Sequence, residues 1–419
     1  NTSYDETSEI KPDSVSDDEY GKTTLVPGLH QYLNVALFGR TREMDLTLLA
    51  DLRNNSWNKL EARNLNRISR FTLNMRLRTH EIIVGDFFES MGENFIQSRE
   101  IGGLKYALHT PDVFGANSFL YFSGFGGVVQ PAISIGDHQL DLYKQYETAG
   151  QFRRWLAAGV LQGGVNGKYA LGIKYLWAKD DESSIEETIN DPITNRVLGG
   201  DFSLYFWDRN VRLFAEYLVS EKDTIDSEKF NDNAYKGGVD FSYNTFKFIL
   251  SYQKYGFQYF TAGYPFLETD RKGLFGQIAY AIPRAVSFLT DFESYNDNLD
   301  NIELLPTTHT NIVDFGVTTL LPDLPELSLI VGLRKDLSNE LLDQEDQLTK
   351  TDKMTAKLEG RLGVNFSSTR ISLSGIYQDL DDKSLVPNSE PLGTKQVISS
   401  LNFYTSSDQF FFISGGAVY

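Results

Sequence analysis

Charged side chains occupy alternate positions in several short stretches of the sequence, and this spacing lines one face of a β-strand. Arg70, Arg76 and Arg78 belong to one such stretch, and Asp291 and Glu293 belong to another. Charges along the wall of a water-filled pore set its ion selectivity through the local potential. The residues expected to face a lumen in this way are Arg70, Arg76, Arg78, Glu216, Asp291, Glu293, Lys353, Lys357, Glu359 and Arg361.

A second interpretation of the same charges involves no transport. Opposite charges on neighbouring strands pair with each other, so that a wide, hydrated interior contains no unpaired ions. The sequence alone leaves both interpretations open.

Residues for catalysis are sparse. The five histidines are dispersed, cysteine is absent, and no Ser-His-acid arrangement can be assembled from local sequence. The stretch Gly124–Gly127 is not a phosphate-binding loop, because no Lys followed by Ser or Thr comes after it. Acidic runs such as residues 180–191 lack the spacing of a calcium loop, which favours solvated loop charge. We therefore expect no enzymatic activity, no cofactor and no metal site.

The sequence disfavours two classes of protein, nucleic-acid-binding proteins and helical membrane proteins. The chain of 419 residues has 57 acidic and 39 basic residues, and its net charge of −18 disfavours nucleic acid as a partner. No stretch approaches the roughly 18 consecutive apolar residues that a membrane-spanning helix requires. A membrane-spanning β-strand needs only about ten residues, and half of them can be polar.

The elements that would position the charges are strands. The clearest alternation covers residues 353–366, where a helix would place charges on every side. From Gln151 onward such runs come in pairs, and the spacing of about forty residues between turns matches two membrane-crossing strands and one loop. Turns are expected near Asn166, Asp208, Asn244, Pro283, Asp323, Ser367 and Ser406.

Candidate strands before Gln151 lie near residues 30–39, 44–53, 66–78, 80–88, 103–109 and 116–124. The predicted fold class is therefore all-β, an antiparallel up-and-down transmembrane β-barrel of about 20 strands, with 18 as the alternative count. A soluble β-sandwich is the competing fold, but it suits shorter strands with fewer aromatic residues.

Three regions follow from this pattern. Residues 1–27 are rich in Asp, Glu and Ser and are expected to form a flexible acidic tail, while residues 28–419 form the barrel. Residues 88–150 break the forty-residue rhythm, with glycine-rich stretches and a helical candidate at residues 140–149. We expect this third region to narrow the lumen.

Aromatic residues cluster at the expected strand ends, as amphipathic rings do at membrane interfaces. The chain ends in QFFFISGGAVY, a pattern similar to the closing strand of bacterial outer-membrane proteins. The clusters expected at the interface include Tyr205, Phe206 and Trp207, and also Phe257, Tyr259 and Phe260.

From about residue 28 to its end, the chain resembles the porin-like barrels of Gram-negative outer membranes. The stretch VGDFFESMGENFIQSREIGGLKY, residues 84–106, resembles a strand-and-loop motif of uncharacterised Bacteroidota barrels. This resemblance implies an inward-folded constriction, but no known chemistry. The residues that carry the motif are Gly85, Asp86, Phe87, Phe88, Glu89 and Gly92.

The expected function is passive passage of small hydrophilic solutes across a bacterial outer membrane. The alternative is a structural barrel that serves as a scaffold or subunit of a larger outer-membrane assembly. Expected partners are outer-membrane lipid, lipopolysaccharide and other outer-membrane proteins, and no nucleic acid.

Overall fold

Twenty long β-strands form almost all of the structure, a computed structural model that describes residues 2–5, 28–55, 68–132, 150–185, 190–224, 229–302, 305–319, 321, 324–342, 348–366, 369–385, 393–405 and 410–418. The strands are β1 Gly28–Arg40, β2 Met44–Asn55, β3 Ile68–Leu77, β4 His80–Glu89, β5 Arg99–Pro111, β6 Ser118–Gln130, β7 Arg153–Val165, β8 Tyr169–Asp181, β9 Ile193–Phe206, β10 Val211–Thr224, β11 Phe230–Tyr243, β12 Phe246–Tyr255, β13 Arg271–Ile282, β14 Val286–Asn296, β15 Thr308–Thr319, β16 Glu326–Ser338, β17 Asp352–Phe366, β18 Thr369–Asp382, β19 Gly393–Thr405 and β20 Phe410–Val418.

Each strand pairs antiparallel with its neighbours in the chain, in an unbroken series from β1 to β20. A four-residue strand, Thr2–Asp5, also pairs with β1. The acidic tail expected at residues 1–27 stays a prediction. Residues 6–27 lie outside the described residues. A two-stranded ribbon, Leu341–Leu342 with Leu348–Thr349, decorates the connection after β16.

The two faces of the sheet have the opposite character from those of a soluble sheet. On β8, the apolar residues Leu171, Ile173 and Tyr175 are 55%, 61% and 47% exposed. The charged residues Lys174 and Asp180, which point to the other face of the strand, are buried. Apolar side chains on the exposed face suit contact with lipid, and charged side chains on the buried face suit a hydrated interior.

Contacts across the sheet show that it is strongly curved. The side chains of Asn94 and Tyr255 are 2.6 Å apart, yet β5 and β12 would be separated by about 34 Å in a flat sheet. Asn94 lies five residues from Arg99, the start of β5, so the chain between them reaches at most about 18 Å. The predicted antiparallel up-and-down transmembrane β-barrel of about 20 strands is therefore confirmed.

Short turns and long connections lie at opposite ends of the barrel. Residues 166–168, 207–210, 244–245 and 283–285 form turns, which confirms the turns expected near Asn166, Asp208, Asn244 and Pro283. The turns expected near Asp323, Ser367 and Ser406 fall outside the described residues.

Most of the described part of residues 88–150 belongs to the barrel wall, because β5 and β6 run through it. The glycine-rich stretch is part of β6, where Gly127 pairs with Gly103 of β5. A side chain at Gly103 would come within 2.1 Å of the Gly126 carbonyl oxygen, so glycine here permits close strand pairing. Only residues 90–98 leave the sheet between β4 and β5, and the helical candidate at 140–149 lies outside the described residues.

Candidate functional site

Two connections at the long-connection end fold into the barrel. They are the first inner segment, residues 90–98 between β4 and β5, and the second inner segment, residues 256–270 between β12 and β13. The first begins with a tight loop, in which the backbone N–H groups of Phe95 and Ile96 donate to the Gly92 carbonyl at 3.3 and 3.2 Å. Gly92 has a φ of +133°, which residues with a side chain rarely adopt. This glycine of the predicted motif therefore allows the loop to form.

Apolar side chains seat the first inner segment against the wall. Phe95 and Ile96 are fully buried in one cluster with Leu176, Val197 and Leu218, which project inward from β8, β9 and β10. Burial of each large apolar side chain stabilises the arrangement by about 1.5–3 kcal/mol. A small dry core therefore lies inside an otherwise polar interior.

The two inner segments are hydrogen-bonded to each other. The Thr261 hydroxyl donates to the Phe95 carbonyl at 2.8 Å, and the Gln97 backbone N–H donates to the Gly263 carbonyl at 3.3 Å. The Tyr259 hydroxyl donates to the Asn94 carbonyl at 2.8 Å. Burial raises the pKa of Tyr259, so its phenol stays protonated and remains a donor.

Polar side chains of the wall hold the second inner segment. The Asn195 side chain on β9 donates to the Phe260 carbonyl at 3.1 Å and accepts from the Ala262 backbone N–H at 2.9 Å. The Ser220 hydroxyl on β10 also donates to the Phe260 carbonyl. The two inner segments, joined to each other, form a bridge inside the barrel, and both are fixed to β8–β10.

This contact pattern corrects one interfacial cluster expected from sequence. Tyr259 is only 2% exposed, and the Phe260 ring lies 4.9 Å from the ammonium group of Lys222, because their segment folds into the barrel. In the other cluster, Phe206 and Trp207 are 46% and 75% exposed.

A cluster of three charged side chains on the barrel wall is hydrogen-bonded to the first inner segment. The Lys174 ammonium group on β8 lies 2.5 Å from Glu216 on β10 and 3.1 Å from Asp201 on β9. The second carboxylate oxygen of Glu216 accepts from the Asn94 side-chain amide at 2.7 Å. Of these four residues, the sequence analysis selected only Glu216. The alternation of β8 could have identified Lys174, but nothing local to Asn94 indicates a partner on β10.

One side of the first inner segment, at Glu93, is exposed to solvent. Glu93 is 71% exposed and pairs at 2.5 Å with Lys236 of β11. The bridge therefore presents charge to solvent on one side and a dry core on the other.

A separate row of charged side chains runs across β3, β4 and β5. Arg76, a predicted lumen residue, lies 2.6 Å from Glu81, and the Lys105 ammonium group contacts both Glu81 at 4.0 Å and Glu89 at 2.5 Å. Their carboxylates are mostly buried, which places this row on the inner face. Here predicted lumen charges do pair across strands.

One of the predicted lumen arginines, Arg78, lies in a turn. Arg78 belongs to the tight turn after β3 and pairs at 3.0 Å with Glu43 of a neighbouring turn, with both side chains about 70% exposed. The prediction for Arg78 was wrong because the strand ends at Leu77. Arg70 opposes Asp51 of β2, in the same parity as Arg76 and Asp45, and its guanidinium lies 5.5 Å from the Phe88 ring.

The remaining predicted charges lie on the inner face of β14 and β17. Asp291 accepts from the Gln277 side chain at 2.8 Å, and Glu293 has the same parity on β14. Glu359 is flanked by Lys357 at 3.1 Å and Arg361 at 2.7 Å on its own strand. Lys353 pairs with Asp382 of β18 at 3.3 Å. No described part of the inner segments is hydrogen-bonded to β14 or β17.

The other residues of the 85–92 motif shape the end of β4. Gly85 has a φ of +102°, and the Asp86 carboxylate accepts from the Phe71 backbone N–H at 2.8 Å. Phe87 is buried edge-on against Phe125, with ring centroids 6.0 Å apart. The motif therefore ends a strand and positions the first inner segment.

Within the described ranges no group of three His, Asp or Glu side chains is arranged to hold a metal ion. Several acidic loop residues instead form local contacts: Asp180 pairs with Arg154 at 2.7 Å, and Asp297 accepts from the Thr308 backbone N–H. No helix among the described residues is long and apolar enough to cross a membrane.

No protein-family model matches the sequence, and no curated protein matches it significantly. Among solved structures, the translocation pore of the P pilus usher is similar over 93% of this chain and 92% of its own, with a TM-score of 0.43 and 8% sequence identity. The resemblance to Bacteroidota barrels stays a prediction.

Proposed function

We propose that this protein is a passive outer-membrane channel for small hydrophilic solutes, whose lumen is narrowed by the two inner segments. The observation that carries this proposal is that inward-facing cations differ in their exposure to solvent. Lys174 beneath the bridge is 8% exposed, whereas Lys357 and Arg361 on β17 are 42% and 68% exposed. The inner segments thus occupy one side of the interior and leave hydrated charge on the other.

The location and partners belong to the same proposal. An apolar outer face requires lipid around it, and a barrel of this type inserts into a bacterial outer membrane, beside lipopolysaccharide. The net charge of −18 argues against nucleic acid. Catalysis is not part of the proposed role, because no Ser-His-acid arrangement can be assembled from local sequence.

Single-channel conductance in planar bilayers tests the proposal. The wild-type protein is expected to conduct, and replacing residues 91–97 with a Gly-Ser linker of equal length is expected to raise the conductance several-fold, because it removes the first inner segment and the hydrogen bonds that join the second segment to it. Equal-length replacement of residues 113–116, in a tight turn at the opposite end, is the matched control and should leave conductance unchanged. Absence of conductance in both the wild-type protein and the bridge variant would exclude a channel.

A scaffold barrel within a larger outer-membrane assembly is the second candidate. The dry core around Phe95 and Ile96 favours it, because a plug that is packed this well can be permanent. Copurification of fixed partners from outer membranes, together with no conductance, would support the scaffold.

A further inference from the structure

Two lysines oppose each other on the outer face of the barrel. Lys254 on β12 and Lys272 on β13 are direct cross-strand partners. They have the same parity as Tyr252 and Leu274, which are 40% and 46% exposed, so both ammonium groups project outward. Like charges directly opposite each other destabilise an antiparallel pair, and an anion between them relieves that repulsion.

The neighbouring carboxylates do not supply that anion. Asp270 accepts from the backbone N–H groups of Asn298 and Leu299, at 3.0 and 2.7 Å. Glu268 pairs with Arg271 at 2.7 Å, and Arg271 has the inward parity of β13. Within the described part of the chain, neither Lys254 nor Lys272 forms an ion pair.

The surroundings of the pair resemble the boundary between lipid tails and headgroups. On one side lie Tyr252 and Leu274 of the apolar outer face. Along the same row, the cross-strand partner of Lys272 is Asn296, whose side chain contacts His309 at 2.6 Å. The row therefore offers cations and polar groups at the edge of an apolar belt.

We propose that Lys254 and Lys272 bind the phosphate group of an anionic lipid headgroup. A phosphate between two ammonium groups removes their mutual repulsion, and its acyl chains continue over the apolar face. The local positive charge is distinctive in a protein whose net charge is −18. This site is independent of whether the lumen conducts.

Native mass spectrometry of the protein, released from micelles with equal amounts of phosphatidylglycerol and phosphatidylcholine, tests this site. The wild-type protein should retain phosphatidylglycerol preferentially. The double substitution Lys254→Gln with Lys272→Gln should reduce that preference by roughly 10- to 30-fold, because each surface lysine beside an anionic lipid contributes about fivefold. Lys395→Gln is the control, since Lys395 is 62% exposed and already pairs with Asp379 at 3.7 Å.

An unchanged preference in the folded double variant would overturn the proposal, and so would an equal loss in Lys395→Gln. If the double variant does not fold, each single substitution is measured instead, because either one removes the repulsion between the two lysines. A wild-type preference in both folded single variants would likewise overturn it.

Discussion

Inward-facing lysines on two walls of this barrel differ in solvent exposure and in their ion-pair partners. On the bridged wall, β8–β12, Lys174 is 8% exposed and contacts carboxylates from two other strands. On the open wall, β16–β18, Lys357 is 42% exposed and pairs with Glu359 on its own strand. Both strands show the same alternation of apolar and polar residues, so alternation sets which way a side chain points. The inner segments determine whether that side chain is buried.

The comparison implies that chemically similar ion pairs on the two walls contribute differently to the free energy of unfolding. A buried pair that loses one partner leaves an uncompensated charge in a poorly hydrated site, whereas an exposed pair is replaced by water at little cost. The bridged wall should therefore respond strongly to substitutions that the open wall tolerates.

The largest expected effect is that of Lys174→Met. It leaves the Asp201 and Glu216 carboxylates without their shared cation, and the free energy of unfolding should fall by about 3–5 kcal/mol. Lys357→Met on the open wall should cost about 0–1 kcal/mol. Urea-induced unfolding in detergent, followed by tryptophan fluorescence, measures both. Equal losses in the two variants would mean that the walls do not differ in hydration.

The barrel could be predicted from the sequence because the alternation of apolar and polar residues is visible within each single strand. A run such as residues 353–366 fixes both strand type and face direction, and the observed β17 covers residues 352–366. The same local rule placed Glu216, Glu359 and Arg361 on the inner face. It failed at Arg78, where a turn begins one residue earlier than the alternation implied.

The bridge itself could be anticipated only in part. Gly92 and the residues before it indicated a strand end and a loop, but its partners lie far along the chain: Asn94 meets Glu216 and Tyr255, 122 and 161 residues away. The second inner segment gave no signal, because its aromatic residues match an interfacial cluster equally well. Such contacts depend on the curvature of the whole sheet, which local patterns do not determine.

A smaller effect is expected where the inner segments touch. At Gly263, an added methyl group would lie 2.5 Å from the Phe95 carbonyl oxygen and 2.6 Å from the Ile96 side chain. Gly263→Ala should therefore separate the segments and cost about 1–3 kcal/mol. Gly360→Ala on β17 meets nothing within 4 Å and should change stability by less than about 0.5 kcal/mol. A neutral Gly263→Ala in the same unfolding assay would show that the segments are not held in contact.

The smallest expected effect isolates one hydrogen bond of the bridge. Tyr259→Phe removes the donor to the Asn94 carbonyl and leaves that acceptor unpaired, which should cost about 1–2 kcal/mol. The comparison change is Tyr377→Phe on the outer face of β18, where a 38% exposed tyrosine donates to Asp379 at 3.1 Å. Asp379 keeps Lys395 as a partner at 3.7 Å when the hydroxyl is removed. The expected cost of Tyr377→Phe is below about 0.5 kcal/mol. If the loss at Tyr259 is no larger than the loss at Tyr377, the hydrogen bond to the Asn94 carbonyl is not a buried one, and the inner segments are hydrated where they meet.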